Sequence, residues 1–298
     1  MSCYLKLTLE ELEDKAGKAF SLLSSCTVCA RQCRVDRLQG EKGFCRGGLE
    51  AAVSSWGQHF GEEDVLVGRY GSGTIFFTYC NLACCFCQNY EISSQGAGRL
   101  LTVSALAGAM LELQELGCHN INLVSPSHFV PQILKALVLA VPKGLRIPLV
   151  YNTGGYDSIE ALQLLEGVVD IYMPDLKYGD DHAGEKYSSV PDYFTVAKEA
   201  VKEMHRQVGD LVVSKTGVAE RGLLVRHLLL PEGLAGTGEV VRFIAEEISQ
   251  DTFLNIMDQY YPAHKAMRHK KLSRRVTPDE VLDAVNIARE AGLERIYL

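Results

Sequence analysis

The chain has 298 residues, 47% of them hydrophobic, and a formal net charge of −7. This length is enough for one or two domains with a large buried core. The negative balance excludes a global cationic field of the kind that attracts nucleic acid or anionic lipid. No apolar run approaches the roughly 18 residues that cross a bilayer, and the first residues lack a signal-peptide pattern. We therefore expect a cytoplasmic protein that binds neither nucleic acid nor membrane.

Two regions follow one another along the chain. Residues 1–68 contain many glycines and cysteines, and we expect an irregular, cysteine-rich N-terminal extension there. From residue 69 onward, apolar runs rich in β-formers alternate with longer helical stretches. The predicted strands are 74–80, 119–125, 147–152, 169–175, 223–231, 253–260 and 294–298, and the predicted helices are 102–117, 130–140, 158–166, 191–208, 237–249 and 277–291.

This alternation predicts an α/β fold with a parallel sheet and right-handed crossovers. Its repeats favour a partial (β/α)6 TIM-type barrel over residues 69–298, and an open doubly wound sheet is the alternative. In a barrel of this type the chemistry lies where the strands run into loops. Polar residues follow several of the predicted strands, so we expect a site at that edge.

The ten cysteines fall mainly into two groups. Four lie within residues 26–45 and four within 80–87, and only Cys3 and Cys118 stand apart. In a cytoplasmic chain, grouped cysteines are more often metal ligands or reactive thiols than disulfides.

The second group begins directly after a predicted strand that ends at Tyr79. Cys80, Cys84 and Cys87 have the spacing C-x3-C-x2-C, and a loop lets three such thiolates converge. A complete iron–sulfur cluster or a closed zinc site takes four ligands, so three suggest a site with one open position. Cys85 is expected to point away. A zinc loop completed by another residue, or a chance grouping, is the alternative.

This stretch resembles the radical S-adenosylmethionine (SAM) signature, because Phe86 stands directly before the third cysteine. The resemblance implies that Cys80, Cys84 and Cys87 hold a [4Fe-4S] cluster whose fourth iron is chelated by SAM. It also implies that the reduced cluster cleaves SAM to a 5′-deoxyadenosyl radical, which abstracts hydrogen from substrate, and that Phe86 lies near the adenine.

Residues of about 70–265 are similar to pyruvate formate-lyase activating enzymes, most of all to an uncharacterised homologue branch. The similarity is carried by CNLACCFCQNYEIS, NLVSPSHFVPQI, YNTGGYDS, DIYMPDLKY and VRHLLLP. It implies a protein or peptide substrate in which a glycyl radical forms, and an electron donor such as flavodoxin or ferredoxin.

Four residues match positions that bind SAM or peptide in the activating enzymes. Asp175 and Lys177 match the D-x-K of that family. Asn152 and Thr153 stand where the family has Asp-Thr, and asparagine keeps a hydrogen-bonding carbonyl but loses the charge. The alternatives are that Asp175 is only a strand-end carboxylate with Lys177 as its surface partner, and that Asn152 only shapes a turn.

Other matches depart further from the family. The usual G-G-E that holds the SAM amino group is replaced by 125-SPSH-128, in which Ser125, Ser127 and His128 are candidate substitutes. A hydrogen-bonded loop histidine is the alternative for His128. Arg226, in a strand of alternating apolar residues, is a candidate for bidentate contact with the SAM carboxylate.

The first cysteine group has the spacing C-x2-C-x3-C-x11-C, at Cys26, Cys29, Cys33 and Cys45. Four thiols so spaced can close a tetrahedral site. We expect a second metal there, either zinc or an additional iron–sulfur centre. Reduced, buried thiols without metal are the alternative.

Residues 268–275, RHKKLSRR, form a basic run before the last helix. Such a run is usually a solvated loop. The alternative is a docking patch for an acidic protein partner.

Three hypotheses about function follow. The first is a radical SAM oxidoreductase of the activating-enzyme type. The second keeps the radical chemistry but takes a small molecule or another side chain as substrate. The third is an iron–sulfur or zinc protein that binds a partner or transfers electrons without SAM. The open three-cysteine site argues against the third, because electron carriers ligate every iron.

Overall fold

A computed structural model describes all 298 residues. The ten strands are β1 Ala51–His59, β2 Ser72–Phe77, β3 Arg99–Leu101, β4 Ile121–Val124, β5 Leu149–Thr153, β6 Ile171–Pro174, β7 Val212–Val213, β8 Ala219–Leu228, β9 Phe253–Met257 and β10 Ile296–Tyr297. The ten α-helices are α1 Leu9–Ser21, α2 Asp64–Val67, α3 Tyr90–Ser93, α4 Val103–Glu115, α5 Val130–Ala140, α6 Ile159–Leu165, α7 Asp181–Ser188, α8 Tyr193–Val208, α9 Thr237–Phe243 and α10 Pro278–Glu290.

All ten strands form one sheet, in the order β10-β9-β8-β6-β5-β4-β2-β1-β3, with β7 paired to β8. Pairing is parallel from β10 through to β2, and antiparallel where β1 joins β2 and β3. The predicted parallel α/β sheet is therefore confirmed. The two ends of the order do not pair with each other, so closure into a barrel is not shown.

The middle strands are buried on both faces. Every residue of β5 and of β6 is buried, as expected of parallel strands covered on both sides. One core of 68 buried residues includes Leu123 and Leu137, and a smaller cluster of seven includes Val150 and Leu224. Because side chains alternate along a strand, Asn152 and Arg226 share a face with this smaller cluster and lie beyond it, toward the carboxyl ends of the strands.

Residues 1–68 are more regular than the sequence predicts. The helix α1 begins with a capping box between Thr8 and Glu11, and its buried face carries Leu12. The strand β1 runs for nine residues beside β2. Its second half, SSWGQH, has neither an apolar run nor a clear alternation, and this is why the pattern failed to predict it.

The predicted division at 68/69 falls between two hydrogen-bonded strands of one sheet. Tyr4, Leu12 and Leu23 from the first region belong to the same core as residues from the second. The first region therefore packs directly on the elements that carry the predicted site.

The elements predicted after residue 68 agree with the structure in type and differ at their bounds, whereas the short elements α3, β3 and β7 were not predicted. The capping box at Thr277 and Glu280 is present at the start of α10. The short helix α7 was not predicted, and the segment 237–249 divides into α9 and a π-helical turn, Ile244–Ile248. No helix in the chain is both long and apolar enough to cross a bilayer.

Candidate active site

A cavity of about 620 Å³ opens at the carboxyl ends of the parallel strands. Its volume lies within the range of about 300–1,000 Å³ that is usual for cofactor and substrate sites. Ten of the side chains singled out from the sequence line it: Cys80, Cys84, Phe86, Cys87, Ser125, Asn152, Thr153, Asp175, Lys177 and Arg226. Cys85, Ser127 and His128 do not. The sequence therefore located the cavity, although it did not resolve every contact within it.

The three thiols of the C-x3-C-x2-C motif converge on this cavity from the loop after β2. Each sulfur has a hydrogen-bond partner: Leu82 N donates to Cys80 Sγ at 3.4 Å, Ser188 Oγ donates to Cys84 Sγ at 2.9 Å, and Ser93 Oγ lies 3.2 Å from Cys87 Sγ. Hydrogen bonds to ligating sulfurs orient them and tune an iron–sulfur cluster. Three soft donors around an open space fit a cluster with one free iron.

The protonation state of these thiols depends on what they bind. Burial, followed by the neighbouring Cys84, raises the pKa of Cys80 to about 12. Burial also raises the pKa of Cys84, against the opposing effect of Lys177. Both are therefore thiols at neutral pH when free, and metal ligation requires them to release their protons.

The backbone is strained where β2 and β4 run into the loops that line the cavity. Tyr79 and Ser125 have φ values of 70° and 55°, in the left-handed region that residues other than glycine rarely occupy. Such conformations cost on the order of 1–3 kcal/mol each and concentrate at functional sites. Both residues line the cavity, so the strain lies where the loops turn toward it.

Lys177 and Asp175 form an ion pair beside the cluster thiols. Lys177 Nζ lies 2.5 Å from Asp175 Oδ2, and the two side chains are 14% and 20% exposed. Burial acts to lower the pKa of Lys177, but Asp175 and Cys84 outweigh it and raise the pKa above its usual value. The ammonium is thus a fixed positive charge that offsets thiolate charge at Cys84.

Asn152 and Thr153 end β5 with different surroundings. The Asn152 side chain lines the cavity and makes no hydrogen bond within the chain. Thr153 Oγ1 donates to Asp157 Oδ2 at 2.5 Å, and Asp157 Oδ1 accepts from the Tyr151 hydroxyl at 2.9 Å. Asn152 is therefore free to contact a ligand, whereas the Thr153 hydroxyl is held by the buried carboxylate of Asp157, which the sequence did not single out.

Ser127 and His128 lie behind the cavity wall, contrary to expectation. Ser127 Oγ is 3.0 Å from Thr153 Oγ1, and His128 Nε2 donates to the Thr78 carbonyl at 3.0 Å. Burial lowers the pKa of His128 to about 3, so its ring is neutral. The turn at Ser125 directs both side chains into the protein, and neither reaches the cavity to replace the missing G-G-E.

Arg226 points to the cavity but is already paired. Its Nε donates to Glu63 Oε1 at 2.7 Å, one terminal nitrogen donates to Glu63 Oε2 at 2.6 Å, and that nitrogen also contacts Glu62. Asn255 Nδ2 donates to Glu63 as well, at 2.5 Å. The bidentate partner expected for Arg226 was the SAM carboxylate, and in the structure it is Glu63.

Glu62 and Glu63 line the cavity and were missed from the sequence. The only signal was an adjacent acidic pair in a stretch expected to be irregular.

Phe86 is buried in the cavity wall, with its ring 5.9 Å from that of Tyr260 and 6.3 Å from that of Tyr178, both edge-on. This packing fixes the ring that the signature places before Cys87.

The first cysteine group lies outside the cavity. Cys26, Cys29 and Cys45 are buried and Cys33 is half-buried. Burial, followed by the neighbouring thiol of Cys45, raises the pKa of Cys29 above its usual value. No three His, Cys, Asp or Glu side chains in the structure, in this group or among Cys80, Cys84 and Cys87, are grouped to hold a single metal ion. The grouping of side chains therefore does not support the predicted zinc or additional iron–sulfur centre.

The segment that carries these cysteines contacts the loop of residues 78–89, which holds Cys80, Cys84 and Cys87 and is called the cluster loop below. Arg31 Nε donates to the Asn81 carbonyl at 2.9 Å, and Cys29 forms a β-bridge with Asp157. Arg37, which is 1% exposed, donates to the His128 carbonyl at 2.8 Å. The N-terminal segment therefore braces two of the loops that form the cavity.

Comparison with known proteins bears on the family. A sequence model of the radical SAM superfamily matches residues 74–218. An uncharacterized protein of Methanocaldococcus jannaschii is 32% identical over 303 residues, which cover 99% of this chain and 82% of that protein. The family match begins in β2 and includes the three cluster cysteines.

Two solved structures are also similar. A radical SAM methyltransferase from Sphaerobacter thermophilus is 16% identical with a TM-score of 0.49, over 76% of this chain and 65% of that one. HydG, a maturase of the [FeFe]-hydrogenase, is 14% identical with a TM-score of 0.49, over 97% of this chain and 62% of that one. The chain spans slightly under two thirds of either structure. By this sequence match, residues 74–218, which hold the cysteine motif and the strands that follow it, belong to the radical SAM superfamily, whose members use a [4Fe-4S] cluster and SAM.

Proposed function

We propose that this chain binds a [4Fe-4S] cluster through Cys80, Cys84 and Cys87, cleaves SAM reductively, and removes a hydrogen atom from a substrate in the same cavity. One observation carries the proposal. The three thiols share a cavity of about 620 Å³ with Asn152, Asp175 and Lys177, which stand at positions that bind SAM or peptide in the activating enzymes.

When bound, the cluster and SAM supply a 5′-deoxyadenosyl radical. The chain's own residues position and enclose these groups. The thiolates would hold three irons, Lys177 would balance charge beside Cys84, and Asn152 would offer an amide to SAM. Phe86, held in the cavity wall by Tyr178 and Tyr260, would offer an apolar surface to SAM.

For the substrate, we propose a glycine in a partner polypeptide, as in the activating enzymes. The retained D-x-K at Asp175 and Lys177 supports this candidate. The replacement of G-G-E by 125-SPSH-128, and of the family's aspartate by Asn152, departs from the activating enzymes. These departures leave open the second candidate, a small molecule or another side chain. The two candidates share the SAM chemistry and differ in where the hydrogen originates.

The test begins with the protein purified and reconstituted without oxygen, reduced with dithionite and mixed with SAM. Formation of 5′-deoxyadenosine is the expected result. SAM turnover with dialysed extract protein that contains α-deuterated glycine then distinguishes the substrates. A glycine in a polypeptide transfers deuterium to 5′-deoxyadenosine and leaves a glycyl radical detectable by electron paramagnetic resonance, whereas a small-molecule substrate gives neither signal. A reducible cluster of about four irons that cleaves no SAM would favour a non-catalytic electron carrier.

We also propose a second metal at Cys26, Cys29, Cys33 and Cys45, as an iron–sulfur centre or zinc. Its support is chemical: Phe44 N donates to Cys33 Sγ at 3.4 Å, and Arg37 lies 3.8 Å from Cys26 Sγ, as donors do around thiolates. The test compares iron and zinc per chain between the wild type and Cys29→Ala/Cys45→Ala, and equal metal content would refute the proposal.

All ten cysteines are free, which supports a reducing compartment such as the cytoplasm.

A further inference from the structure

The segment of residues 265–275, called here the basic segment, is a positively charged surface on an acidic chain. Six of its side chains are basic and exposed: Lys265, Arg268, Lys270, Lys271, Arg274 and Arg275. Only two are neutralised within the chain, Lys271 by Glu232 at 3.3 Å and Arg274 by Glu280 at 2.8 Å. Four positive charges therefore face solvent without an ion-pair partner, although the whole chain has a net charge of −7.

This segment lies directly on the loop that carries the cluster cysteines. Lys265 N donates to the Cys85 carbonyl at 2.7 Å, between Cys84 and Cys87 in the chain. On one side of this contact, the ring of His264 stacks on that of Tyr90 at 5.0 Å. The basic segment is thus joined to the cluster loop through the backbone.

A second set of contacts holds the far part of the segment. The ring of His269 packs edge-on against that of Tyr187 at 5.4 Å, and the Tyr187 carbonyl accepts from Cys85 N at 2.7 Å. Leu272 is buried, and its carbonyl accepts from the Tyr260 hydroxyl at 2.7 Å. The charges are therefore displayed from an anchored segment, and a docked protein would bring its redox group close to the cluster loop.

We infer that the basic segment docks the acidic face of a one-electron donor protein. The inference rests on the proposed function, which needs one electron for each SAM cleaved. In the transfer, the donor loses one electron, the cluster gains one, and no bond forms or breaks. Complementary charge raises the rate of such an encounter and orients the partner. RNA is disfavoured, because the positive charge is confined to one short segment.

The test variant is Arg268→Glu/Lys270→Glu/Arg275→Glu, which reverses three charges that make no ion pair. The control variant is Lys6→Glu/Lys143→Glu/Lys215→Glu, which makes the same change in net charge at exposed residues near the amino ends of the strands. Calorimetry measures binding of oxidised, cluster-loaded protein to a recombinant flavodoxin and to a plant-type ferredoxin, at low and high ionic strength. A short RNA hairpin serves as the competing ligand.

We expect salt-sensitive binding of at least one donor, weakened about tenfold or more in the test variant and unchanged in the control. Equal binding by both variants, no binding of either donor by the wild type, or RNA binding alone would overturn the inference. Iron content and dithionite-driven SAM cleavage, unchanged in the test variant, exclude misfolding. If the wild type cleaves no SAM with dithionite, the proposed function has failed whatever the titrations show.

Discussion

The guanidinium of Arg226 and the carboxylate of Glu63 meet in a two-pronged ion pair at the cavity wall, with N–O distances of 2.7 and 2.6 Å. The residues are 163 positions apart, and their side chains are 13% and 1% exposed. Burial opposes the charge on Glu63, but Arg226 outweighs it and holds the pKa of that carboxyl below its usual range. The pair therefore ties the segment after β1 to the carboxyl end of β8.

Replacing Arg226 by methionine should destabilise the protein, because it leaves two buried carboxylates without a counter-charge. Breaking a buried pair in this way costs about 3–5 kcal/mol. Urea unfolding of the metal-free protein measures the loss. The combination of Arg226→Met with Glu62→Gln and Glu63→Gln should recover most of it; no recovery would show that the loss comes from packing and not from charge.

Adjacent cysteines in the cluster loop should respond differently to alanine. Cys84→Ala removes a ligand, so we expect loss of SAM cleavage and of most cluster iron. Cys85→Ala removes a buried side chain that does not line the cavity, so we expect full iron content and turnover within about threefold of the wild type, since such truncations mainly affect stability. Iron loss in Cys85→Ala would mean that the ligands have been wrongly assigned.

Lys177→Met should reduce SAM turnover at least about tenfold, equivalent to roughly 1.4 kcal/mol. The change removes the cation beside Cys84 and leaves Asp175 uncompensated. Initial rates of 5′-deoxyadenosine formation and SAM affinity by equilibrium dialysis measure the effect. Lys177→Arg is the matched control, and it should keep the charge and retain the larger share of the activity; equal activity in all three proteins would place Lys177 outside the site.

Buried histidines make stability depend on pH. Burial lowers the pKa of His227 to about 4, while Nδ1 donates to the Leu176 carbonyl at 2.6 Å and Nε2 accepts from the Thr237 hydroxyl at 3.0 Å. The unfolded chain takes up this proton near pH 6.5 and the folded chain only near pH 4. The effect of His227 on the free energy of unfolding is therefore absent above pH 6.5. The free energy of unfolding then decreases by roughly 3 kcal/mol as the pH falls to about 4.

The measurement is the urea unfolding free energy of the metal-free protein at pH 7 and pH 5, for the wild type and for His227→Gln. Carboxylates titrate in both proteins, so the difference between the two pH dependences isolates His227. We expect a smaller loss in the variant. An identical pH dependence would show that folding does not lower the pKa of His227.

The sequence pattern identified cavity-lining residues where they lie at strand ends. Cys80 and Asp175 each follow a parallel strand and Asn152 is the next-to-last residue of β5, and such strand ends share one edge of a sheet. Pattern could not give the direction of side chains in loops. The left-handed turn at Ser125 carries Ser127 inward, and no feature of the sequence 125-SPSH-128 announces that turn.

Long-range pairing was also outside the reach of local pattern. Glu63 belongs to the site only because β1 adds antiparallel to β2 and brings the following segment over the cavity. The strand β1 itself shows only a weak alternation of apolar and polar residues. The residue that pairs with the Glu63 carboxylate, Arg226, lies in β8. The pairing of β1 with β2 and the ion pair of Glu63 with Arg226 both depend on the tertiary fold. For this reason residues 1–68, taken by themselves, predicted only an irregular extension.

The position of β1 has a consequence for the integrity of the sheet. It covers the outer edge of β2, the strand that leads into the cluster loop. A shortened chain that begins at residue 69 would leave that edge with unpaired amide and carbonyl groups, which is a template for association between molecules. It would also leave Arg226 without Glu62 and Glu63. We therefore expect such a fragment to aggregate, so that the N-terminal region serves as the sheet's protection against self-association.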